Sequence, residues 1–516
     1  MAGPASSEIS NAMVAGLASP ADWLIIAPVV ISISFGALLL MLRHEMRSQA
    51  AVALLGLGGV VLANAGLLSR VLSDGPLVMT MGRWLSPFGI SFTADILGAS
   101  FALVSSAVAF ICATLAKTID VTGRRYGFYP FLMLMVAGVN GAFLTGDVFN
   151  LYVWFEVFLI SSFGLLILGS QREQIDGATK YAILNLVATT LFLIATGLLY
   201  GTFGTLNMAD LARKAQSVRD SGPLMTLSVL YLLAFGMKAA AFPVNFWLPA
   251  SYHTPRIVIA ALFAGLLTKV GVYALLRSLV MIFPVERAVL SDLIGWVAAA
   301  TMIVGIMGAL AQSDTRRIFG FVVISGVGVM LAGVSVGGAE ALSGTILYAV
   351  HSMLVMTALY LLAGLMRDIG GSFSLHELSG LYRASPLLAG TALMLVLAVS
   401  GLPPGSGLWP KVLLVKAALD SGAWWLASAI LVSGLLTTVA LGRVYTLAFW
   451  RDNDRGIALQ SATYLKTGFA ALIVLMVPIV FIGLYPEPFI RVAGLAASGL
   501  LDASSYIGAV FPGDVP

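Results

Sequence analysis

Cysteine occurs once in 516 residues, as Cys112, and Asp, Glu, Lys and Arg together make up only 10% of the chain. A single thiol inside an apolar run excludes disulfides within the chain, cysteine-held iron–sulfur clusters and cysteine-based zinc sites. So little charge excludes a soluble protein of this length, whose surface needs far more polar cover. No G-x-x-x-x-G-K-[ST] loop occurs, so direct coupling to ATP hydrolysis is not expected. His44-Glu45 opens an H-E pattern, but position 48 is Ser48 and no zincin motif follows. Glycine-rich pieces such as "ISGVGVM" do not join a strand to a helix in a soluble βαβ unit and read as packing glycines, not a dinucleotide fingerprint. No metal, cofactor or soluble catalytic site is expected.

Hydrophobic residues make up 59% of the chain, with a mean hydropathy of +0.98. Apolar stretches of about 20 residues recur, each long enough to cross a hydrocarbon core of roughly 30 Å. About fourteen such spans are read, centred near Val30, Gly58, Val104, Met135, Leu159, Phe192 and Leu233, then Leu267, Val304, Val329, Leu359, Val396 to Leu414, Leu436 and Val474. The apolar character runs through every position instead of alternating, which disfavours a β-barrel. The fold class is therefore an all-α polytopic membrane protein, a single integral membrane domain over 1–516. The longest polar connection, around Arg213 to Asp220, reads as a loop or surface helix. The N-terminus "MAGPASSEIS" lacks a basic region ahead of its first apolar run, so the first span is expected to be retained.

The basic residues sort by loop. Odd-numbered loops hold Arg43, Arg47, Lys117, Arg124, Arg125, Arg172, Lys180, Arg256, Arg316, Arg317, Arg367, Arg383, Arg451, Arg455 and Lys466; even ones hold fewer, mainly Arg70, Arg83, Arg213, Lys214, Arg219, Arg277, Arg287 and Arg491. The positive-inside rule then puts the odd loops in the cytoplasm and both termini outside. The net charge of +4 reflects this sorting and does not imply nucleic acid.

A few ionisable residues fall within spans: Glu156, Lys238, Lys269, His351, Lys411, Lys416 and Arg443. Each costs at least a few kcal/mol to insert, so such residues face a bundle interior or a wet cavity by default. Glu156 and Lys238 read either as a structural ion pair or as a switch. In the switch, moving the carboxylate toward or away from the lysine changes how readily the lysine releases its proton. Lys269 has no acidic neighbour in sequence and reads as a relay lysine. His351 is a relay or a hydrogen-bonded packing residue. Lys416 and Arg443 lie near span ends, where long basic side chains snorkel.

Two spans interrupt themselves. "GMKAAAFPVNFWLP" carries Pro243 and Pro249 just after Lys238, and "SGLPPGSGLWPKVLLVK" carries Pro403, Pro404 and Pro410 just before Lys411. Proline removes an amide donor and clashes with the preceding turn. Backbone freed at membrane depth is tolerated only inside protein or along a wet cavity. Paired breaks at matching positions of two halves are the sequence mark of transporter repeats.

Together "NLYVWFEVFLISSFGLL", "FGMKAAAFPVNFWLPASYHTP", "GLLTKVGVYALLR" and "SGLPPGSGLWPKVLLVK" resemble the antiporter-like membrane subunits shared by multisubunit Mrp-type cation/proton antiporters and proton-pumping respiratory complex I. The resemblance extends over nearly the whole chain. It implies fourteen helices, two inverted five-helix repeats (roughly 126–285 and 286–450, between N-terminal helices 1–125 and a C-terminal helix and tail 451–516), and a mid-membrane chain of ionisable residues. Glu156 matches the family's fifth-helix glutamate, Lys238 its seventh-helix lysine, Lys269 its eighth-helix lysine, His351 an eleventh-helix histidine and Lys411 a twelfth-helix lysine. Met356 departs from the pattern, standing where many relatives carry a further lysine. The implied function is proton translocation within a bacterial cell-membrane complex exchanging a monovalent cation, Na⁺, for protons, with sister subunits and lipid as partners. The alternative is a proton-pumping subunit of a complex I-like or hydrogenase redox complex.

Overall fold

The structure is a computed structural model that describes residues 13, 19, 21–82, 84–116, 127–217, 223–452 and 462–512, the side chains of 46, 47 and 462–465 excepted. Among the basic residues used for orientation, Arg83, Lys117, Arg124, Arg125, Arg219 and Arg455, and the side chain of Arg47, lie outside the described residues.

Every expected span centre falls in an apolar helix. Eleven helices among the described residues are long and apolar enough to cross a membrane, and Phe128–Leu144, Pro223–Ala239 and Pro386–Ser400 are shorter apolar helices. In chain order the elements begin with α1 (Trp23–Met41), α2 (Met46–Asp74), strands β1 (Leu77–Thr80) and β2 (Ser91–Ala94), α3 (Ile96–Ala116), α4 (Phe128–Leu144), α5 (Val148–Leu166) and α6 (Arg172–Phe203). They continue through α7 (Met208–Ser217), α8 (Pro223–Ala239), α9 (Trp247–Ser251), α10 (Ile257–Leu275), α11 (Pro284–Val289), α12 (Ser291–Ala311), α13 (Thr315–Val336) and α14 (Ala339–Gly370). The chain closes with α15 (Leu381–Ala384), α16 (Pro386–Ser400), α17 (Leu408–Asp420), α18 (Trp424–Tyr445), α19 (Ala462–Leu484), α20 (Glu487–Leu501) and α21 (Ser504–Val510).

Apolarity does not sort the spans by place, because lipid and protein interior are both apolar. Helices α10, α13 and α14 are almost wholly buried, while α1, α2, α6 and α18 bury 33–39% of their most apolar stretch and turn the rest outward. In lipid no hydrophobic force draws helices together, so small residues that admit close approach decide the contacts. A Cβ on Gly271 of α10 would lie 2.8 Å from the amide nitrogen of Ala239 in α8, and one on Gly305 of α12 would lie 2.6 Å from that of Ser325 in α13. Caps set several helix starts: the Asp147 carboxylate accepts the Asn150 amide at 2.8 Å, and that of Asp314 accepts the Arg316 amide at 2.8 Å.

Span periodicity did not reveal the hairpin. Strands β1 and β2 pair antiparallel, Leu77 opposite Ala94 and Thr80 opposite Ser91. The Ser91 carbonyl accepts the Gly146 amide at 2.9 Å, and the Ser91 hydroxyl accepts the Asn207 amide group at 2.9 Å. The hairpin thus ties together the even-side loops ahead of α5 and α7. The polar connection around Arg213 is partly helical, as α7, and the tail beyond α19 forms two more helices, α20 and α21.

The structure corrects one residue's placement. Arg277, read as a loop residue, is 1% exposed and lies in a π-helical turn, Leu276–Ile282, that prolongs α10. It pairs with Asp95, its Nε donates to the Tyr273 hydroxyl at 3.0 Å, and its guanidinium faces the Tyr506 ring at 5.2 Å. A guanidinium surrounded in this way is stable away from loop water.

Candidate functional site

The two interrupted spans have the same geometry. Segment 240–246 separates α8 from α9 and segment 401–407 separates α16 from α17, seven residues each. Both open on a left-handed residue, Ala240 at φ 64° and Gly401 at φ 83°, which terminates the preceding helix. Pro243 and Pro403-Pro404 lie in the unwound segments; Pro249 and Pro410 lie in the first turns of α9 and α17, where a missing amide donor costs nothing. The backbone groups freed by each break find protein partners. The Trp247 indole donates to the Met237 carbonyl at 3.0 Å, and the Phe242 amide donates to the Thr301 hydroxyl at 3.0 Å. At the second break Lys411 Nζ donates to the carbonyls of Val399 at 3.0 Å and Ser400 at 2.9 Å. The lysine therefore stands at the negative end of the α16 dipole.

Each sequence-derived residue has a definite setting. Lys238, in the last turn of α8, is 4% exposed; its Nζ donates to the Thr189 hydroxyl of α6 at 2.9 Å and lies 4.8 Å from the centre of the Phe155 ring. Glu156 follows Phe155 on α5, and its buried Oε1 has no hydrogen-bond partner among the described residues. Lys238 thus meets a hydroxyl and an aromatic face directly, with the Glu156 carboxylate one residue along α5 from that ring. Lys269 is fully buried in α10 and donates to the Ala264 carbonyl at 2.6 Å. His351, fully buried in α14, contacts the Ser406 hydroxyl of the second break through Nδ1 at 2.7 Å, and its Nε2 has no partner. Met356 is fully buried on the same helix. Lys416 pairs with Glu340 at 2.5 Å at an exposed edge, and Arg443 donates to the Leu310 carbonyl.

The packing order links these residues. Helix α5 packs on α6, α6 on α8, α8 on α10, α10 on α14, and α14 on α17. Glycines sit at the junctions: Gly271 against Ala239, Gly265 against Thr357, and Gly407 against the His351 ring. Glu156, Lys238, Lys269, His351 and Lys411 accordingly occupy a series of helices packed in succession. Beyond Lys411 a groove of about 550 Å³ opens between α17 and α18, lined by Ser400, Leu408, Leu431 and Thr438.

Sequence reasoning missed three features. Thr189, the acceptor for Lys238, is a threonine in an apolar run and carries no signal of its own. The Asp95–Arg277 pair was detectable in part, because Arg277 is flanked on both sides by apolar residues in "YALLRSLVMIF". Asp147, just ahead of α5, is 8% exposed, and burial pushes its carboxyl up to about 6.

A helical bundle with two discontinuous helices and buried basic residues beside the breaks is a polytopic membrane protein of the transporter class. The chain belongs to the NADH:quinone oxidoreductase/Mrp antiporter transmembrane family, whose sequence profile matches residues 145–437. The D subunit of the Na(+)/H(+) antiporter of Alkalihalophilus pseudofirmus is 36% identical over 492 residues, covering 94% of this chain and 99% of the relative. Among solved structures, a chain of the Mrp complex from a Dietzia species superposes with a TM-score of 0.87 at 28% identity, covering 95% of this chain and 99% of that one. A chain of the archaeal membrane-bound sulfane sulfur reductase, a respiratory membrane complex, also gives 0.87 at 25% identity, covering 96% and 100%.

Proposed function

We propose that this chain is the D-type subunit of a multisubunit Na⁺/H⁺ antiporter in a bacterial cell membrane, and that it moves protons along the file Glu156, Lys238, Lys269, His351 and Lys411. The observation that carries the reading is the succession of packed helices: α5, α8, α10, α14 and α17 each bring one buried or half-buried ionisable group to the interior, and α6, between α5 and α8, brings Thr189 to Lys238. Lys238 and Lys269 exchange protons where α8 touches α10. Glu156 tunes Lys238 from α5, His351 joins Lys269 to the second break, and Lys411 opens toward the groove beside α18. Buried polar atoms without protein partners on these helices, among them Glu156 Oε1, Thr268 Oγ1, His351 Nε2 and Ser352 Oγ, are the kind that internal water serves. The matching breaks, set five spans apart, suit two inverted repeats. With the odd loops in the cytoplasm and the termini outside, protons run inward. An electrogenic exchange then gains about 2.3 kcal/mol per charge for each 100 mV of membrane potential.

The test is Na⁺-induced pH change in everted vesicles from an antiporter-deficient host that expresses this chain with its sister subunits. The response is expected in the intact complex and lost with Glu156→Ala or Lys238→Ala at unchanged assembly. A second reading, a proton-pumping subunit of a redox complex, draws on the equal superposition with the sulfane sulfur reductase chain. An assembled complex that gives no pH response to Na⁺, K⁺ or Li⁺ would favour it.

A further inference from the structure

On the odd-loop side, a polar cavity of about 870 Å³ lies between the start of α6, the first break and the α12–α13 connection. Its walls include Asn245 and Phe246 of the break, His253 of the turn after α9, and Arg317 of α13. Asn245 is 6% exposed and lines this cavity, with no hydrogen bond to its side chain among the described residues. A buried amide in that state presents its donor and acceptor to the cavity.

His253 lines the same cavity. Its Nδ1 lies 2.9 Å from the Pro249 carbonyl, which only accepts, so Nδ1 carries the hydrogen. Its Nε2 lies 3.1 Å from Arg317 Nη2, which only donates, so Nε2 holds a lone pair. The two contacts fix one neutral tautomer and aim its basic nitrogen at a guanidinium. The other charged groups around the cavity are largely matched: Asp314 holds Arg316 at 2.7 Å and Asp176 holds Lys180 at 2.5 Å, with Glu173 on the same wall. The Arg317 guanidinium, in contact with Nε2, is thus the nearest charge set against the imidazole, and Arg316 adds to it.

We propose that His253 is a further proton-transfer residue of this subunit, passing protons between the Lys238–Lys269 segment and the water on the odd-loop side through the cavity that Asn245 lines, with Arg317 as the group that resets it. The inference rests on the proton-translocation reading above. A proton arriving from the cavity binds Nε2. Both partners are then donors, so the Arg317 contact breaks. Nε2–H gives its proton to bulk water, and the lone pair returns to Arg317. Burial and the Arg317 and Arg316 charges hold this imidazole below its ordinary value, opposed by the Pro249 carbonyl and Asp314. That suits a group that must release, not store, a proton at neutral pH. In acid the imidazole stays protonated and release stalls, so transport falls as pH drops through the lowered value.

The experiment uses the assembled complex in everted vesicles, with transport measured across a pH series. His253→Gln is expected to lower the rate at neutral pH by about tenfold, short of the roughly hundredfold of an irreplaceable proton-transfer group because cavity water substitutes in part. It should also erase the acid limb of the profile. Arg317→Gln, which keeps a donor to Nε2 but removes the charge, should move that limb up by about one pH unit. Assembled variants with the intact rate and an unmoved limb would overturn the proposal. A second readout does not depend on transport. Asn245→Cys should react with a membrane-impermeant thiol reagent added to the exposed face of everted vesicles, where the native chain, with Cys112 fully buried, does not. An unreactive Asn245→Cys would overturn it as well. Failure of the antiporter reading is instead seen in the unmodified complex, as the absence of any cation-induced pH change.

Discussion

Lys411 separates two roles that a static arrangement superimposes, a helix cap and a proton carrier. Its ammonium makes two charge-assisted hydrogen bonds to the last carbonyls of α16, each contributing about 1.5–3 kcal/mol. Lys411→Met gives these up, a gross loss of about 3–6 kcal/mol. It also removes the cost of holding a charge at membrane depth, about 2.5–3.5 kcal/mol on insertion scales. The net is a loss of at most about 3.5 kcal/mol, so the Met variant should assemble with its thermal stability in detergent within about 3.5 kcal/mol of the unmodified complex. Lys411→Arg keeps the charge and can reach the same carbonyls, but its guanidinium yields no proton to any base present. If protons pass through position 411, both variants assemble and both lose Na⁺-induced pH change in everted vesicles. A Lys411→Arg complex with the native rate would refute the reasoning and leave Lys411 as a cap alone.

Breaking the buried Asp95–Arg277 pair by Arg277→Met strands a carboxylate and should cost about 3–5 kcal/mol, seen as loss of complex on heating in detergent; Asp95→Leu with Arg277→Met together should recover most of it. Gly271→Ala places a methyl 2.8 Å from the Ala239 nitrogen and should lower complex yield and transport together through about 1–3 kcal/mol of overpacking. Gly197→Ala, with nothing within 4 Å of the added carbon, should change neither. The Asp314 carboxyl is held below the usual carboxylate range by the Arg316 side chain and the α13 amides, against the opposing effect of burial. Its stabilisation is therefore complete above its unfolded value of about 3.9 and is lost as pH falls through the lower folded value. Between about pH 5 and 3 the unmodified complex should lose more stability than Asp314→Asn, and parallel melting curves for the two would count against the assignment.

What was legible in the sequence follows from what the bilayer demands locally. Twenty apolar residues in a row, or a proline beside a lysine within such a run, are consequences of membrane thickness and backbone satisfaction, and both register within one segment. The spans, the two breaks and the unusual positions of Lys238, Lys269, His351 and Lys411 were therefore visible. Partners brought together by the fold were not. Thr189 stands 49 residues before Lys238, and Asp95 stands 182 before Arg277. Arg277 itself was misplaced because an arginine late in an apolar run looks the same whether it snorkels outward or turns inward. The facing of Glu156 and Lys238 was hidden for a related reason: sequence gives depth along a helix, not its rotation.

The π-helical turn at Leu276–Ile282 bears on rotation. An α-helix advances each side chain by about 100° around its axis, and a π turn holds an extra residue within one wind. The residues that follow the turn are thereby set back in phase relative to α10 and its Lys269. The chain length of this segment is thus a property in itself. Removing one residue of 278–282 would close the wind into an ordinary helix and rotate the chain beyond it by about 100° relative to α10, although no contacting side chain had been exchanged.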